Sequence, residues 1–359
     1  MSGDGQPEST EREQRSIGPP PSTPRPAWWL PGPHLPTIFA KFARKISMPP
    51  TVREQLATPD GDVISVERAN GIDGRPRVIL FHGLEGGTHS TYARGIFHAA
   101  ARCGWWADLV LWRTCDGKTV NRVRRSYHSG ASDDLGFALE AIVNSDPRRI
   151  TFAIGVSLGG NALLKWLGER GKSVPPALRA ASAVSVPFDL AAASRKIERG
   201  FSRVYTHFFL KSLKAKALAK IAQFPDIADR GAVERAQTLW AFDDAFTAPL
   251  HGFANAADYY TQCSSLAFLS RVRIPTLLLN AQDDPFLPRR VLSQVGAVAV
   301  ENSYLECVFP RRGGHTGFIS GASPRRAQYW MEDYVLNWLD QASGVLGNTA
   351  PDDVSTTQN

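Results

Sequence analysis

The chain alternates short, continuous apolar runs with longer stretches in which apolar residues recur at helical spacing. The runs "RVILFHG" (77–83), "ADLVLWR" (107–113), "ITFAIG" (150–155), "ASAVSV" (181–186), "PTLLLNA" (275–281) and "YLECVF" (304–309) read as buried strands. A strand covered on both faces shows no polar alternation, which is what a parallel sheet between two helical layers requires. Helical patterns fall between them around 92–103, 132–144, 159–170 and 324–339, and an earlier strand pair is predicted around 51–68. This rhythm predicts an α/β fold with a mostly parallel central sheet and helices on both faces. It breaks from about 188 to 270, where the pattern turns mostly helical and carries its own aromatic residues. That interval predicts a helical cap insertion over the C-terminal edge of the sheet, where open α/β sheets bind ligands.

The ends of the chain read differently. Residues 1–26 are polar and proline-rich without an apolar signal core, and the tail from 344 to 359 resembles them. Both are expected to be disordered, leaving one globular domain over 27–343. No stretch is apolar for long enough to span a bilayer, and Cys103, Cys115, Cys263 and Cys307 form no C-x-x-C pair. A soluble, cytoplasmic, reduced protein is the expectation. The net charge of +7 is concentrated between Arg195 and Lys220, where eight basic residues face one acid, Glu198. Charge confined to one insertion, without a nucleic-acid motif, argues against a nucleic-acid partner. The segment is expected to help form the cap and to favour anionic or lipid-like esters. In it, Leu210, Leu213, Ala217 and Ile221 share one helical stripe, which reads first as packing of the cap onto the sheet with the lysines facing water, and alternatively as an interface in which Lys211, Lys214 and Lys216 offer a basic face for peripheral contact with anionic lipid.

The sharpest local feature is "GVSLGG", 155–160, between a β-branched run and a helical pattern. Glycines two positions before and two after Ser157 allow a strand and a helix to meet at a tight turn. Such a nucleophile elbow lifts the serine hydroxyl clear of the sheet. Since a hydroxyl is a weak nucleophile at neutral pH, it needs a base and a group that orients the base. Of the eight histidines, only His315 lies beyond the acidic candidates that follow a late strand, in "RRGGHTGF". Asp284 is the candidate acid: it leaves the strand "PTLLLNA" and is held extended by Pro285, with Asp283 its competitor. Backbone N–H groups for an oxyanion are expected at Leu158, directly after the serine, and at Leu84 in the loop "HGLEGG". No metal-ligand spacing is present.

Taken together, "PAWWLPGPHLPTIF", "HGLEGGTHSTYARG", "NRVRRSYHSGASDDL", "GVSLGGNALLKWLGE", "VPFDL", "LLLNAQDDPFLP" and "GGHTGF" resemble the YheT-like (ABHD1/ABHD3-type) serine hydrolases of the α/β-hydrolase superfamily, over about residues 27–340. The resemblance implies a triad of Ser157, Asp284 and His315 and cleavage of small-molecule or lipid carboxylic esters through an acyl-enzyme, without a cofactor. Thioesterase, amidase or phospholipase chemistry on the same triad, and a non-catalytic binding protein on the scaffold, are the alternatives. One departure stands out: Arg113-Thr114-Cys115 occupies the place of the family's arginine-glycine-cysteine. Trp28, Trp29 and His34 are expected to pack an N-terminal arm onto the domain. Tyr127 and His128 are expected either to line the site's mouth or to serve structural hydrogen bonds, and Asp243 and Asp244 to act as hinge or helix-capping residues.

Overall fold

The computed structural model describes residues 23–117 and 121–344. The expected leader and tail therefore lie, but for residues 23–26 and Gly344, outside the described residues. Eight strands form one sheet: β1 (Val52–Ala57), β2 (Val63–Ala69), β3 (Arg77–Phe81), β4 (Trp106–Leu111), β5 (Thr151–Val156), β6 (Leu178–Val184), β7 (Thr276–Leu279) and β8 (Leu305–Val308). Their spatial order is β1-β2-β4-β3-β5-β6-β7-β8. The β1–β2 and β2–β4 pairs are antiparallel and every later pair is parallel. Every residue of β3 and β5 is buried, as their uninterrupted apolar sequences require, whereas edge strand β1 has no fully buried residue.

Helices α1 (His34–Phe42), α2 (Thr91–Arg102), α3 (Ser132–Ser145) and α4 (Leu158–Arg170) precede the insertion. Within it lie α5 (Leu190–Ile197), α6 (Arg203–Gln223), α7 (Arg230–Arg235), α8 (Leu239–Phe242), α9 (Ala248–His251) and α10 (Ala256–Cys263), with a π turn at Asp243–Thr247. Helices α11 (Arg289–Glu301) and α12 (Met331–Ala342) complete the sheet's cover. The last helix begins at Met331 and not near Pro324. Pro324 instead opens a single 3-10 turn, and Ile319–Ser320 pairs with Gln328–Tyr329 in a small hairpin. Among the described residues no helix is long and apolar enough to cross a membrane.

Two large apolar clusters lie on opposite faces of the sheet, one around α3, α4 and α11 and the other around α2 and α12. Burying each large aliphatic or aromatic side chain there contributes roughly 1.5–3 kcal/mol, so the central strands and their C-terminal ends are rigid mounts. The insertion has a separate, smaller core in which Leu210, Ala217 and Ile221 of α6 meet Val233, Phe242 and Phe246. The stripe on α6 is thus consumed in holding the cap together. The N-terminal arm packs back on the domain: Trp29 meets Phe39 edge-on and donates from Nε1 to the Gly321 carbonyl at 3.0 Å.

Candidate active site

Ser157 stands between β5 and α4 with φ 54° and ψ −118°, a conformation that side chains rarely adopt. The flanking sequence makes it possible. A Cβ on Gly155 would collide with the Gly159 carbonyl, and one on Gly159 with the Phe81 carbonyl of β3, so only glycine lets strand and helix approach this closely. The strain is held by its buried neighbours Val156 and Leu158, the usual circumstance in which such backbone persists.

The loops after β7 and β8 bring the other two residues to it. His315 Nε2 lies 3.1 Å from Ser157 Oγ, and His315 Nδ1 lies 2.9 Å from Asp284 Oδ2. A carboxylate accepts only, so Nδ1 carries the proton and Nε2 is left to accept from the serine hydroxyl. Asp284 is buried, and its second oxygen accepts the Phe286 N–H at 2.8 Å. The Phe286 ring packs 4.2 Å from that of His315 and limits its swing. Asp283 takes a different place. Its Oδ1 accepts the N–H groups of Gly313 and Gly314, both at 2.9 Å, and so ties the β8 loop to the β7 loop. The two adjacent carboxylates divide the work, one on the ring and one on the backbone beneath it.

The loop after β3 is organised by buried His82. Its Nε2 accepts the Trp112 N–H at 3.3 Å, which leaves Nδ1–H to donate to the Gly83 carbonyl at 2.8 Å. Burial pushes its pKa down to about 4, so the ring stays neutral in this role. In a trans peptide the N–H points opposite to the C=O. With the Gly83 carbonyl drawn toward His82, the Leu84 N–H faces the other way. Neighbouring donors are all engaged: Gly83 N–H with Tyr92 Oη, Glu85 N–H with Tyr127 Oη, Gly86 N–H with the Gly83 carbonyl and Gly87 N–H with Ser90 Oγ. Leu84 thus presents the one uncommitted N–H of this turn among the described residues. Leu158 is the first residue of α4, and a helix's first N–H groups have no intrahelical acceptor. Both leucines, with Ser157 and His315, line one cavity of about 830 Å³.

Some participants were not visible from sequence. The Thr37 hydroxyl of α1 donates to the Pro33 carbonyl at 2.8 Å and accepts the His315 N–H at 2.9 Å, so the N-terminal arm supports the histidine loop directly. Lys216 of α6 reaches across the cavity wall to Glu85, with Nζ to Oε1 at 2.7 Å and Cys115 Sγ at 3.4 Å. Burial pushes the Glu85 carboxyl up, but Lys216 beside it outweighs this and keeps its pKa below the usual value. This corrects the basic face considered on α6: Lys216 is part of the cavity wall, and Lys214 is spent on the Glu234 carbonyl. Lys220 is buried against Asn121 and Val123. Apart from an acid such as Glu85 after "HGL", nothing in the local pattern pointed to these contacts.

Tyr127 both lines the cavity and bonds Glu85, and the His128 ring lies 4.4 Å from that of His251, tilted by 48°, both lining the cavity. Asp243 also lines the cavity, accepting from Tyr260 Oη and Thr247 Oγ1, while Asp244 accepts the Ala256 N–H. Burial raises the Asp243 pKa to about 6.

The α/β hydrolase fold family matches residues 76–322. The chain is 38% identical to "Putative esterase YheT" of Escherichia coli K12 over 85% of its own length and 89% of that protein. It is 30% identical to "Phospholipase ABHD3" of Mus musculus, over 80% of this chain and 71% of the relative. A solved esterase from Pyrobaculum calidifontis superposes with a TM-score of 0.53 at 14% identity, covering 87% of this chain and 90% of that one, a likeness of fold. With its sheet order, elbow and cap, the chain belongs to the α/β-hydrolase family, in the branch that contains YheT and the ABHD3 proteins.

Proposed function

We propose that this protein is a serine hydrolase that cleaves carboxylic esters with a lipid-like or short- to medium-chain acyl group. The observation that carries the reading is the continuous hydrogen-bond chain from Ser157 through His315 to Asp284, opening on a large cavity with many apolar residues in its wall. In the mechanism, Ser157 Oγ attacks the ester carbonyl carbon as its proton passes to His315 Nε2. Asp284 holds the resulting imidazolium in place. The carbonyl oxygen becomes an oxyanion received by the Leu84 and Leu158 N–H groups. Collapse breaks the bond to the alcohol, which leaves with the proton from His315. Water then attacks the acyl-enzyme as His315 takes its proton, and on collapse the bond to Ser157 Oγ breaks, the acid leaves and His315 returns the proton to Ser157 Oγ.

The names of the relatives support esterase or lipase chemistry. The cavity wall includes Leu213, Phe242 and Phe246, which give an acyl chain an apolar lodging. A fluorophosphonate probe tests the assignment, since it reacts with a serine activated by a base beside an oxyanion hole. We expect one adduct, on Ser157, and loss of both labelling and ester hydrolysis in Ser157→Ala. Peptide mapping that puts the adduct on another serine overturns the mechanism.

A further inference from the structure

We propose that the mouth of the cavity, formed by the outward faces of α1 and the first half of α6, docks on a lipid bilayer that carries anionic headgroups. The two helices meet at their starts, where the Phe201 ring lies 4.7 Å from that of His34 and His34 Nδ1 lies 3.2 Å from Tyr205 Oη. From this junction they form two lips. Ile38, Lys41 and Phe42 of α1, and Phe201, Val204 and Phe208 at the start of α6, all line the opening of the cavity that contains Ser157. These lips are open to solvent: Phe42 is 70% exposed, Phe208 58%, Phe201 52% and Val204 41%. Leu35, one turn before Ile38, is 45% exposed. Single exposed apolar residues are ordinary, but a group of them around one apolar opening marks an interaction surface.

The charge pattern says what covers it. Beside the apolar residues, Arg203, His207 and Lys211 recur every fourth position on the exposed side of α6, and Lys41 stands on α1. Neither helix contains an acidic residue. Among the described residues Lys41, Lys196, Arg199, Arg203 and Lys211 have no ion-pair partner. An apolar stripe bordered by unpaired cations, on a helix whose opposite stripe is fixed in the cap core, is the arrangement of an interfacial helix. A nucleic-acid partner would match the charge but leave the exposed apolar lips unexplained, and a second copy of this basic chain would match the lips but not the charge. A bilayer accepts the rings below the headgroups and the cations at their level. An acyl chain then enters the cavity without crossing water.

The surface differs from the basic face considered from sequence, because Lys214 bonds the Glu234 carbonyl, Lys216 lies in the cavity wall and α1 supplies a lip. The test uses the full-length Ser157→Ala protein, so that docking is read independently of ester hydrolysis. It is sedimented with vesicles of phosphatidylcholine alone and of phosphatidylcholine mixed with phosphatidylglycerol, at rising salt. Partitioning should be greater on the anionic vesicles and decline with salt through screening. Arg203→Gln and Lys211→Gln should each weaken it about fivefold, the change that ~1 kcal/mol per basic residue near an anionic surface produces. Phe42→Ser with Phe208→Ser should lower binding to both vesicle types. In the active protein the Arg203→Gln, Lys211→Gln pair should leave hydrolysis of a water-soluble ester unchanged, since neither residue lines the cavity. Equal partitioning to both vesicle types, or indifference to the charge variants, overturns the proposal. So does a dimer that Phe208→Ser dissociates in a protein that ignores vesicles, which would make the lips an interface between two copies.

Discussion

The sheet and its insertion are stabilised in different ways. Strands β3 and β5 are buried at every position, and the core helices α1 to α4, α11 and α12 begin without a side-chain cap hydrogen bond. They start where strand-end loops aim them and are held by apolar area. In the insertion, α5, α7, α8 and α10 each begin with a side chain that accepts backbone N–H groups: Asp189, Asp229, Thr238 and Asn255. Short helices over a small core need these caps, each worth about 1 kcal/mol. The insertion joins the core through apolar packing of Ala192, Ala193 and Leu269 and through polar contacts such as Lys216 to Glu85, Lys220 to the Asn121 carbonyl and Ser202 Oγ to the Pro285 carbonyl. The core therefore fixes the geometry around Ser157, while the cap shapes what reaches it.

The largest expected effect lies in the core. Asp284→Asn should lower kcat by about 10⁴-fold, because an amide at this position no longer enforces the Nδ1–H tautomer and does not stabilise the imidazolium. Asp283→Asn keeps an oxygen that accepts the Gly313 and Gly314 N–H groups, so it should cost no more than about tenfold. Asp283→Ala should cost more than Asp283→Asn through a loosened histidine loop. Steady-state kinetics on one soluble ester give the ranking, and the reverse order would move the ring-orienting role to Asp283.

Across the seam the effect should be smaller. Lys216→Met leaves the Glu85 carboxylate in a poorly hydrated wall, with an expected loss of about 2 kcal/mol in stability. Because Glu85 follows Leu84, kcat should fall about tenfold as the loop that carries the proposed oxyanion donor relaxes. Adding Glu85→Gln removes the stranded charge and should restore part of the stability. A double-mutant cycle by urea unfolding reads the coupling, and additive losses would mean that cap and core are not joined there.

Entirely within the cap, Asp243 makes a pH-dependent contribution. Its folded pKa of about 6 lies above the ordinary 3.8 because of burial. Below the ordinary value both states hold the proton and nothing is lost. As pH rises toward 6 the unfolded chain releases its proton and the folded one does not, so stability declines, by about 3 kcal/mol across the window. Asp243→Asn removes this term and keeps a side-chain oxygen for one of the two hydroxyls, Thr247 on Oδ1 or Tyr260 on Oδ2, while its amide nitrogen faces the other. Thermal melts should show the variant gaining on the wild type between pH 4 and 6, with a constant difference above that window. A difference that ignores pH would assign the titration elsewhere.

What could be read from sequence follows the same division. Strands β3 to β7 appeared as apolar runs because burial on both faces leaves a continuous signature, and edge strand β8 followed them although Glu306 and Cys307 are only partly buried. "GVSLGG" and "RRGGHTGF" stood out because backbone strain selects glycine locally. The support of the histidine loop by Thr37, across 278 positions, and the Lys216–Glu85 pair, across 131, left no local trace. Pro324 fits the first turn of a helix, yet here it opens a 3-10 turn inside the hairpin that pairs Ile319–Ser320 with Gln328–Tyr329, a pairing that depends on tertiary context. The basic run on α6 was legible as charge but not as orientation, since the helix's rotation is set by the cap core.

The smallest predicted effect concerns the turn directly after β4. Thr114 follows β4 with φ 68°, the left-handed region that glycine enters freely and a β-branched residue does not. Its hydroxyl is buried without a hydrogen-bond partner among the described residues. The loop therefore keeps the backbone that a glycine would take and bears the strain of a threonine in it. Next in the chain is Cys115, whose Sγ meets Lys216, so the strained residue sits on the seam between core and cap. Thr114→Gly relieves the strain and the orphaned hydroxyl but gives the unfolded chain more freedom, two effects of opposite sign. Relief of a left-handed β-branched residue is the larger, and the net gain should be about 1 kcal/mol. A rise in urea midpoint at unchanged slope, with ester hydrolysis intact, is the expected result. A destabilised Thr114→Gly protein would show that threonine packing at the seam outweighs its backbone strain, and that the cap depends on this loop more than its polar contacts suggest.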